Sequence, residues 1–579
     1  MTAASTAHYL LEGLVELGIE HVFANLGTDH VSLIEAIAQW DAQDRPRPRL
    51  ILCPHENVAV HMASGYAALT GRGQVVLVHV DAGTANAAMG LHNVFRRRQP
   101  LMLLAGRAPH TLHGELPGSR DHFVHYMQDP FDLAGLVRPF TKWEYTLASG
   151  VNVKEVLRRA HAVAHSAPCA PVFLALPRET LAQPWDDAAV RSYPERDYGA
   201  VGAGGADPEV ARRIAERLRA AERPLAITAY LGRNPAAVRE LEALATEAGV
   251  QVLEYAPSDL NLRRDSPCHA GHDLRPAIDR ADLLLLLDVD VPWLRQDGPS
   301  AEHAEVIQID VDPIKQDFPM WGFPAGLRVR GDCAIVLAQV RSALAALRAQ
   351  DGARAAQEAA RVAERIAGWQ AGREAREARR AAAAAARGRV GALGADFVCA
   401  TLAAALSPRD LVVNEAVRNG RAVLQQSART LPGTYIGATG GGLGFSGGMA
   451  LGARLACPDR TVVRVVGDGS FQFGNPSAEY EVAQQYGLPF LTVILDNGGW
   501  AAVKNATQMV HPDGAAQAAD AFQARLDGPV RRLEAVAEAF GAYGEAVDDP
   551  DRLEPAIGRA LQALRAGRAA VLRVAIGPF

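Results

Sequence analysis

Short apolar runs rich in β-branched residues alternate along this chain with longer amphipathic stretches, the pattern of strands joined by crossover helices. In the first block the pattern predicts strands at His21 to Asn25, Leu50 to Cys53, Val75 to Val80, Leu101 to Ala105 and Val172 to Leu176. Helical runs fall between them, such as Val58 to Leu69 and Ala85 to Arg97. Tyr193 to Asp207 is rich in Gly, Ala and polar residues and reads as a linker. A second block has strands at Leu225 to Ala229, Val250 to Leu253, Leu283 to Leu287 and Val306 to Ile309, with a helix from Pro235 to Ala248. Residues 350–388 are dominated by Ala, Arg, Glu and Gln and predict one or two exposed helices. The last block repeats the alternation, with strands near Leu411, Tyr435, Val462, Phe490 and Val571. The expectation is α/β throughout: doubly wound parallel-sheet domains at 1–190, 206–348 and 391–579, with a helical linker at 349–390.

One stretch carries the most chemistry. Thr461 to Val466 is a β-branched run that breaks at Gly467-Asp468-Gly469. After a helical segment near Ser477 to Tyr486, a second run, Phe490 to Leu495, ends at Asp496-Asn497-Gly498-Gly499. A right-handed crossover makes the two strands parallel, so Asp468 and Asn497 share the carboxyl edge of the sheet, where open α/β sheets bind ligands. The Asp468 carboxylate, the Asn497 amide oxygen and the Gly499 carbonyl are hard oxygen donors suited to magnesium shared with a phosphate. Gly-Asp-Gly alone is an ordinary turn, as is Asp-Asn alone; each ending a strand of one crossover unit is what makes the pair informative.

Composition narrows the class. The chain has 579 residues, 49% hydrophobic and 21% charged, enough for several ordinary cores. A net charge of −6 implies no nucleic-acid partner. Six scattered cysteines lack a metal-type spacing, which predicts a reducing cytoplasm and no disulfide framework. MTAASTAHYLLEGLVEL lacks a charged n-region and a cleavage site, and Leu283 to Leu287 is too short to span a bilayer, so no membrane association is expected.

Gly-Asp-Gly followed at a similar distance by a strand ending in Asp496-Asn497 resembles the thiamine-diphosphate motif, with Asp496 where the family has asparagine. HENVAVHMASGYAALTGRG, residues 55–73, resembles the N-terminal signature of acetolactate synthase and its relatives, including benzoylformate decarboxylase. GTANAAMG at 83–90 and GGGLGFSGGMALG at 440–452 hint that the first and last domains are related. The resemblance implies an N-terminal pyrimidine-binding domain and a C-terminal diphosphate-binding domain flanking a central Rossmann-like one. It implies thiamine diphosphate as cofactor, with Mg2+ on Asp468, Asn497 and Gly499. Gly467, Gly469, Ser470, Asn419 and Gly442 then lie along the cofactor, and Leu443 props its bent shape. Glu56, otherwise an ordinary carboxylate at a helix start, becomes the group that hydrogen-bonds the aminopyrimidine and promotes the C2 ylid. His79 resembles the proton-handling histidine of benzoylformate decarboxylase, and its pKa suits that task. Thr28 joins it as a catalytic candidate; Asp29, His30, Gln472, Trp500 and Lys504 are expected at the substrate pocket. Asn414, Glu415 and Arg418 precede Asn419 on its loop, and His122 and His125 are weaker candidates.

The implied activity is cleavage or formation of a C–C bond next to the carbonyl of a 2-oxo acid, through ylid and enamine intermediates, either carboligation of the acetolactate synthase type or simple decarboxylation. An inactive regulatory homologue is the non-enzyme alternative. No Gly-x-Gly-x-x-Gly follows a strand with a later acidic residue, which argues against a dehydrogenase. Leu287-Asp288-Val289-Asp290 stands where flavin-holding relatives carry a different segment, so FAD is not expected. In the family the pyrimidine and diphosphate domains of one site come from two subunits, which implies a homodimer or a dimer of dimers.

Overall fold

The computed structural model describes residues 4–294, 297–298, 304–526, 528 and 530–577. It contains three six-stranded sheets, every pairing in them parallel, and one small antiparallel hairpin. The N-terminal sheet comprises β1 (His21–Ala24), β2 (Arg49–Leu52), β3 (Val75–Val78), β4 (Leu101–Arg107), β5 (Glu144–Thr146) and β6 (Pro171–Pro177), in the order β2-β1-β3-β4-β6-β5. The central sheet has β7 (Pro224–Thr228), β8 (Gln251–Glu254), β9 (His269–Gly271), β10 (Leu283–Leu287), β11 (Glu305–Asp310) and β12 (Leu327–Arg330), ordered β12-β11-β10-β7-β8-β9. That is the doubly wound order of dinucleotide-binding folds. The hairpin is β13 (Gly388–Arg389) with β14 (Ala392–Leu393). The C-terminal sheet has β15 (Leu411–Glu415), β16 (Tyr435–Ile436), β17 (Val462–Gly467), β18 (Leu491–Asp496), β19 (Tyr543–Val547) and β20 (Ala570–Ala575), ordered β16-β15-β17-β18-β20-β19. Counted within each domain, its order matches that of the N-terminal sheet, so the kinship hinted at by two glycine-rich segments extends to the whole topology.

The predicted strands are the central ones, whose side chains are buried on both faces; β10, for example, is buried along its whole length. The additional strands β5, β9, β12 and β19 are short or mixed in polarity and lie at or next to sheet edges, where no continuous apolar run announces them. The helix predicted from Ala85 begins at Val80, directly after His79. The Ala/Arg-rich stretch forms two helices, Gly352–Gly368 and Gln370–Ala385. The first is docked rather than free: Glu358 is buried against Arg219 at 2.8 Å, and Arg365 donates to the Gly249 carbonyl at 2.9 Å. Among the described residues no helix is long and apolar enough to cross a membrane, and all six cysteines are free.

The first and last domains share one core. Val58, Val60 and Met62 of the helix Glu56–Thr70 pack in the same cluster as Met449, Leu451 and Phe471. Glycines permit the close crossing of this helix with Ser446–Ala456: a Cβ on Gly65 would lie 2.2 Å from the Met449 carbonyl oxygen, and one on Gly452 would lie 1.9 Å from that of Met62. Backbone cannot move aside as a side-chain tip can. Gly65→Leu is therefore expected to destabilise the protein by about 3 kcal/mol, whereas Gly202→Leu, which meets nothing within 4 Å, is expected to leave thermal unfolding unchanged; a differential melt of the two variants is the check.

Candidate active site

In the N-terminal sheet the strand order reverses between β1 and β3, the switch point at which α/β sheets open a crevice. Asn25 follows β1, His79 follows β3, and Glu56 opens the helix after β2, capped by the His55 side chain. Glu56 is buried, and each of its carboxylate oxygens accepts one amide: Asn25 Nδ2 donates to Oε1 at 2.9 Å and Asn86 Nδ2 to Oε2 at 3.0 Å. Beside it, His79 Nδ1 meets Asp29 Oδ1 at 2.6 Å, and its Nε2 lies 2.9 Å from Gln128 Oε1. The hydrogen bond that His79 donates to Asp29 outweighs burial and raises the His79 pKa; burial opposes ionisation of Asp29, but the His79 hydrogen bond and the two neighbouring imidazoles keep its pKa low. Val80, next in sequence, has φ +24°, a conformation that β-branched residues rarely adopt, and its N–H donates to Asp29 Oδ2 at 3.3 Å. His79 is thus positioned by a strained turn and a buried carboxylate.

Thr28 is exposed at the start of the following short turn. His30, expected at the pocket, is instead fully buried, with Nδ1 accepting the Gly27 N–H at 3.0 Å, because the turn folds its ring inward. Asp29 is likewise buried beneath His79 rather than lining open space. His125 is buried and His122 stays on the same segment; Gln128 is the member of that segment that reaches His79.

The C-terminal sheet has its own switch point between β15 and β17. The parallel register pairs Gly467 with Leu495, so Asp468 and the Asp496-Asn497 pair emerge side by side, as the crossover argument requires. Asp468 starts a short helix, Asp468–Phe473, where the sequence suggested only a break. Burial and the neighbouring Asp496 raise the Asp468 pKa against the pull of Arg531. Arg531 Nη2 lies 2.8 Å from Asp468 Oδ2 and 2.7 Å from Asp496 Oδ1. Asn497 Oδ1 accepts the Gly499 N–H at 3.1 Å, and the Gly499 carbonyl accepts from Ala501 at 3.1 Å. The Trp500 ring covers Gly469, where a Cβ would come within 2.6 Å of it. Ser470 is buried beneath, and Gln472 Nε2 turns back to the Asp468 carbonyl at 3.4 Å. Lys504 pairs with Asp520 at 3.2 Å beside Phe522.

The Leu443 loop is held from both domains. Asn57 Nδ2 donates to the Gly444 carbonyl and Asn93 Nδ2 to the Gly442 carbonyl, both at 3.0 Å. Glu415, fully buried at the end of β15, accepts the Gly444 N–H and, at 3.0 Å, the Ser446 N–H; burial raises its pKa despite these donors. Asn414 Nδ2 donates to the Gly420 carbonyl and to Tyr435 Oη, both at 2.9 Å, fixing the turn that presents Asn419; Arg418 is exposed on it.

The donor set at Asp468, Asn497 and Gly499 is all oxygen, and a Cβ on Gly467 or Gly498 meets nothing within 4 Å. Hard donors beside open space at a sheet edge fit a magnesium-bound diphosphate. A different cluster, Glu254, His269 and His272, also has metal-type donors, but two of the three are imidazole nitrogens, which suit magnesium less well than oxygens, and Arg264 Nη1 lies 2.6 Å from Glu254 Oε2.

Three family models match in succession: "Thiamine pyrophosphate enzyme, N-terminal TPP binding domain" over residues 4–136, the central domain over 211–340, and the C-terminal TPP binding domain over 419–574. The chain belongs to the thiamine pyrophosphate enzymes. Among curated members of that family, a benzoylformate decarboxylase of Pseudomonas aeruginosa is 28% identical over 570 residues, 95% of each chain. The large subunit of acetolactate synthase isozyme 3 of Escherichia coli is 25% identical over 100% of this chain and 95% of its own. The fold matches that of a thiamine diphosphate-dependent 4-hydroxybenzoylformate decarboxylase of Rhodococcus jostii, with a TM-score of 0.77 at 20% identity over 100% of this chain and 99% of the other. The chain is thus a thiamine-pyrophosphate-dependent enzyme of the acetolactate synthase and benzoylformate decarboxylase group.

Sequence reasoning missed Asn86, Gln128, Arg531 and Arg573. Asn86 lay inside the quoted GTANAAMG segment, and a helix starting at Val80 would have turned it toward Glu56. Arg531 and Arg573 lie on segments that meet the edge only in three dimensions. Because Asp29 raises the His79 pKa, the pair stabilises the fold fully below the ordinary histidine value of about 6.5, and this contribution is lost as pH rises through the raised value. Asp29→Asn is expected to lower the His79 titration midpoint, read by imidazole NMR, and to remove the extra stability on the acid side; an unchanged midpoint would contradict the assignment.

Proposed function

We propose that this enzyme is a magnesium-dependent 2-oxo acid decarboxylase in which His79, backed by Asp29, delivers the proton that completes the reaction. The observation that carries this reading is the pairing of half-buried His79 with buried Asp29 on the same sheet edge as Glu56. When bound, thiamine diphosphate supplies a cationic ring that accepts the electrons left behind by carbon dioxide. Asp468, Asn497 and the Gly499 carbonyl would hold Mg2+; Gly442, Gly467, Gly469, Ser470 and Asn419 would lie along the cofactor, with Leu443 beneath it. Glu56 would bind the aminopyrimidine while Asn25 and Asn86 fix its carboxylate. Thr28, exposed near His79, and Trp500 would face the substrate, with Gln472 and Lys504 at the rim.

Carboligation to a 2-hydroxy ketone is the second reading, favoured by the match to acetolactate synthase along the whole chain. No flavin is expected in either reading. The carboxyl edge of the central sheet is filled by the chain's own ions: Arg98 pairs with Asp290 at 2.6 Å, Lys315 with Asp310 at 2.5 Å, and Arg233 with Asp288 at 3.3 Å. A homodimer or dimer of dimers is the expected assembly. The hydrogen bonds of Glu56 stay within the N-terminal domain and those of Asp468 within the C-terminal one, and exposed Phe123, Met127 and Phe131 on the first and Phe473, Met509 and Val510 on the second offer apolar surface to another copy. The free cysteines agree with a cytoplasmic setting.

Calorimetry with thiamine diphosphate is expected to show binding that requires Mg2+ and is lost in Asp468→Ala. A panel of 2-oxo acids including pyruvate and benzoylformate, scored for carbon dioxide, aldehyde and ketol, decides between the two readings: ketol as the main product would replace decarboxylation by carboligation. Glu56→Gln should still bind cofactor while slowing exchange of its C2 proton about 100-fold; exchange at the wild-type rate would remove Glu56 from its role.

A further inference from the structure

Asp496 stands where the family pattern has asparagine, and the structure gives the added carboxylate specific partners. Arg531 Nη2 bridges it to Asp468, at 2.7 and 2.8 Å, and Arg573 Nη1 lies 3.2 Å from its other oxygen. Arg531 is mostly buried, with a side-chain exposure of 17%, and its Nε has no hydrogen-bond partner. Residues 524–526, upstream of it, pair with the metal loop: Trp500 N donates to the Ala524 carbonyl at 2.8 Å, and Leu526 N donates to that of Gly498 at 2.7 Å. A guanidinium whose buried Nε is unpartnered thus stands on the two carboxylates at the edge where the diphosphate would lie.

Building on the cofactor reading above, we propose that Arg531 is a diphosphate ligand of this site, parked on Asp468 and Asp496 until a divalent cation arrives. A metal on Asp468 and a guanidinium on the same carboxylate oxygen would repel at close range. With a metal on Asp468, Arg531 would be left held by Asp496, which is not among the expected metal ligands. With asparagine at 496, a single neutral oxygen would have to serve either Arg531 or Arg573, and Arg531 would keep Asp468, for which it competes with the metal, as its only charged partner. The neutral amide would also leave Arg573 without this partner. With aspartate, the displaced guanidinium stays beside the metal, and its planar fork matches a phosphate in the two-pronged geometry that a lysine cannot reproduce. This gives Asp496 a role as a positioning residue for Arg531.

The test is titration of the full-length wild type, Arg531→Gln, Arg531→Lys and Asp496→Asn with Mg·thiamine diphosphate and with Mg·pyrophosphate by calorimetry. Mn2+ alone is followed by electron paramagnetic resonance, and thermal unfolding checks that each variant is folded. Losing a charge-assisted contact should weaken both diphosphate ligands about tenfold or more in Arg531→Gln, with partial recovery in Arg531→Lys. Mn2+ binding should be unchanged or tighter. Diphosphate affinity at or above the wild-type value in a folded Arg531→Gln overturns the proposal. A wild type that ignores Mg·thiamine diphosphate, yet binds Mg·pyrophosphate in an Arg531-dependent way, keeps it and removes the thiamine reading. A wild type that binds neither overturns both.

Discussion

The crossing of the helix Glu56–Thr70 with Ser446–Ala456 is the contact on which the rest of the architecture depends. Two parallel sheets of identical topology meet there, one with Glu56 at its carboxyl edge and the other with Asp468. Gly65, Gly448 and Gly452 let the two backbones touch, and a single apolar core closes around them. The contact also fixes the start of each helix. Asn57 reaches the Gly444 carbonyl and Asn93 the Gly442 carbonyl, so the loop bearing Leu443 takes its shape from the neighbouring domain. A parallel sheet supplies ligand-binding loops at one edge only; glycine packing of this kind gives two such edges a defined relation.

Buried carboxylates are the second organising element, each controlled by a different neighbour. Glu56 is held by two neutral amides, Asp29 by an imidazole, Glu415 by backbone N–H groups and a serine, and Asp468 and Asp496 by a shared guanidinium. The partner decides what each can do. Amides orient Glu56 without adding charge, the imidazole of His79 shares a hydrogen bond with Asp29, and a guanidinium offsets the two neighbouring carboxylates. In the central domain the same principle recurs at the carboxyl edge: Asp288, Asp290 and Asp310 follow or end their strands and pair with Arg233, Arg98 and Lys315. Arg98 comes from the N-terminal domain, so this network also joins the two domains.

The hydrophobic pattern by itself determined the buried strands, the division into three α/β blocks and the helix Pro235–Ala248, whose bounds match. It did so because a strand buried on both faces must be apolar throughout, and that requirement is local. The placing of Asp468 beside Asn497 followed in the same way, since parallel crossover strands end at one edge. Tertiary structure decided what local pattern does not encode. The polar edge strands β9 and β19 form because a neighbour offers hydrogen bonds. His30 turned inward, although its composition matched a pocket residue, because the turn at Gly27 folds its ring beneath the sheet edge. The partners of Glu56, His79 and Asp496 are Asn86, Gln128 and Arg531, distant in sequence and chosen by packing. A sequence names the groups that carry charge; which of them stand within 3 Å of one another is fixed only when the sheets close.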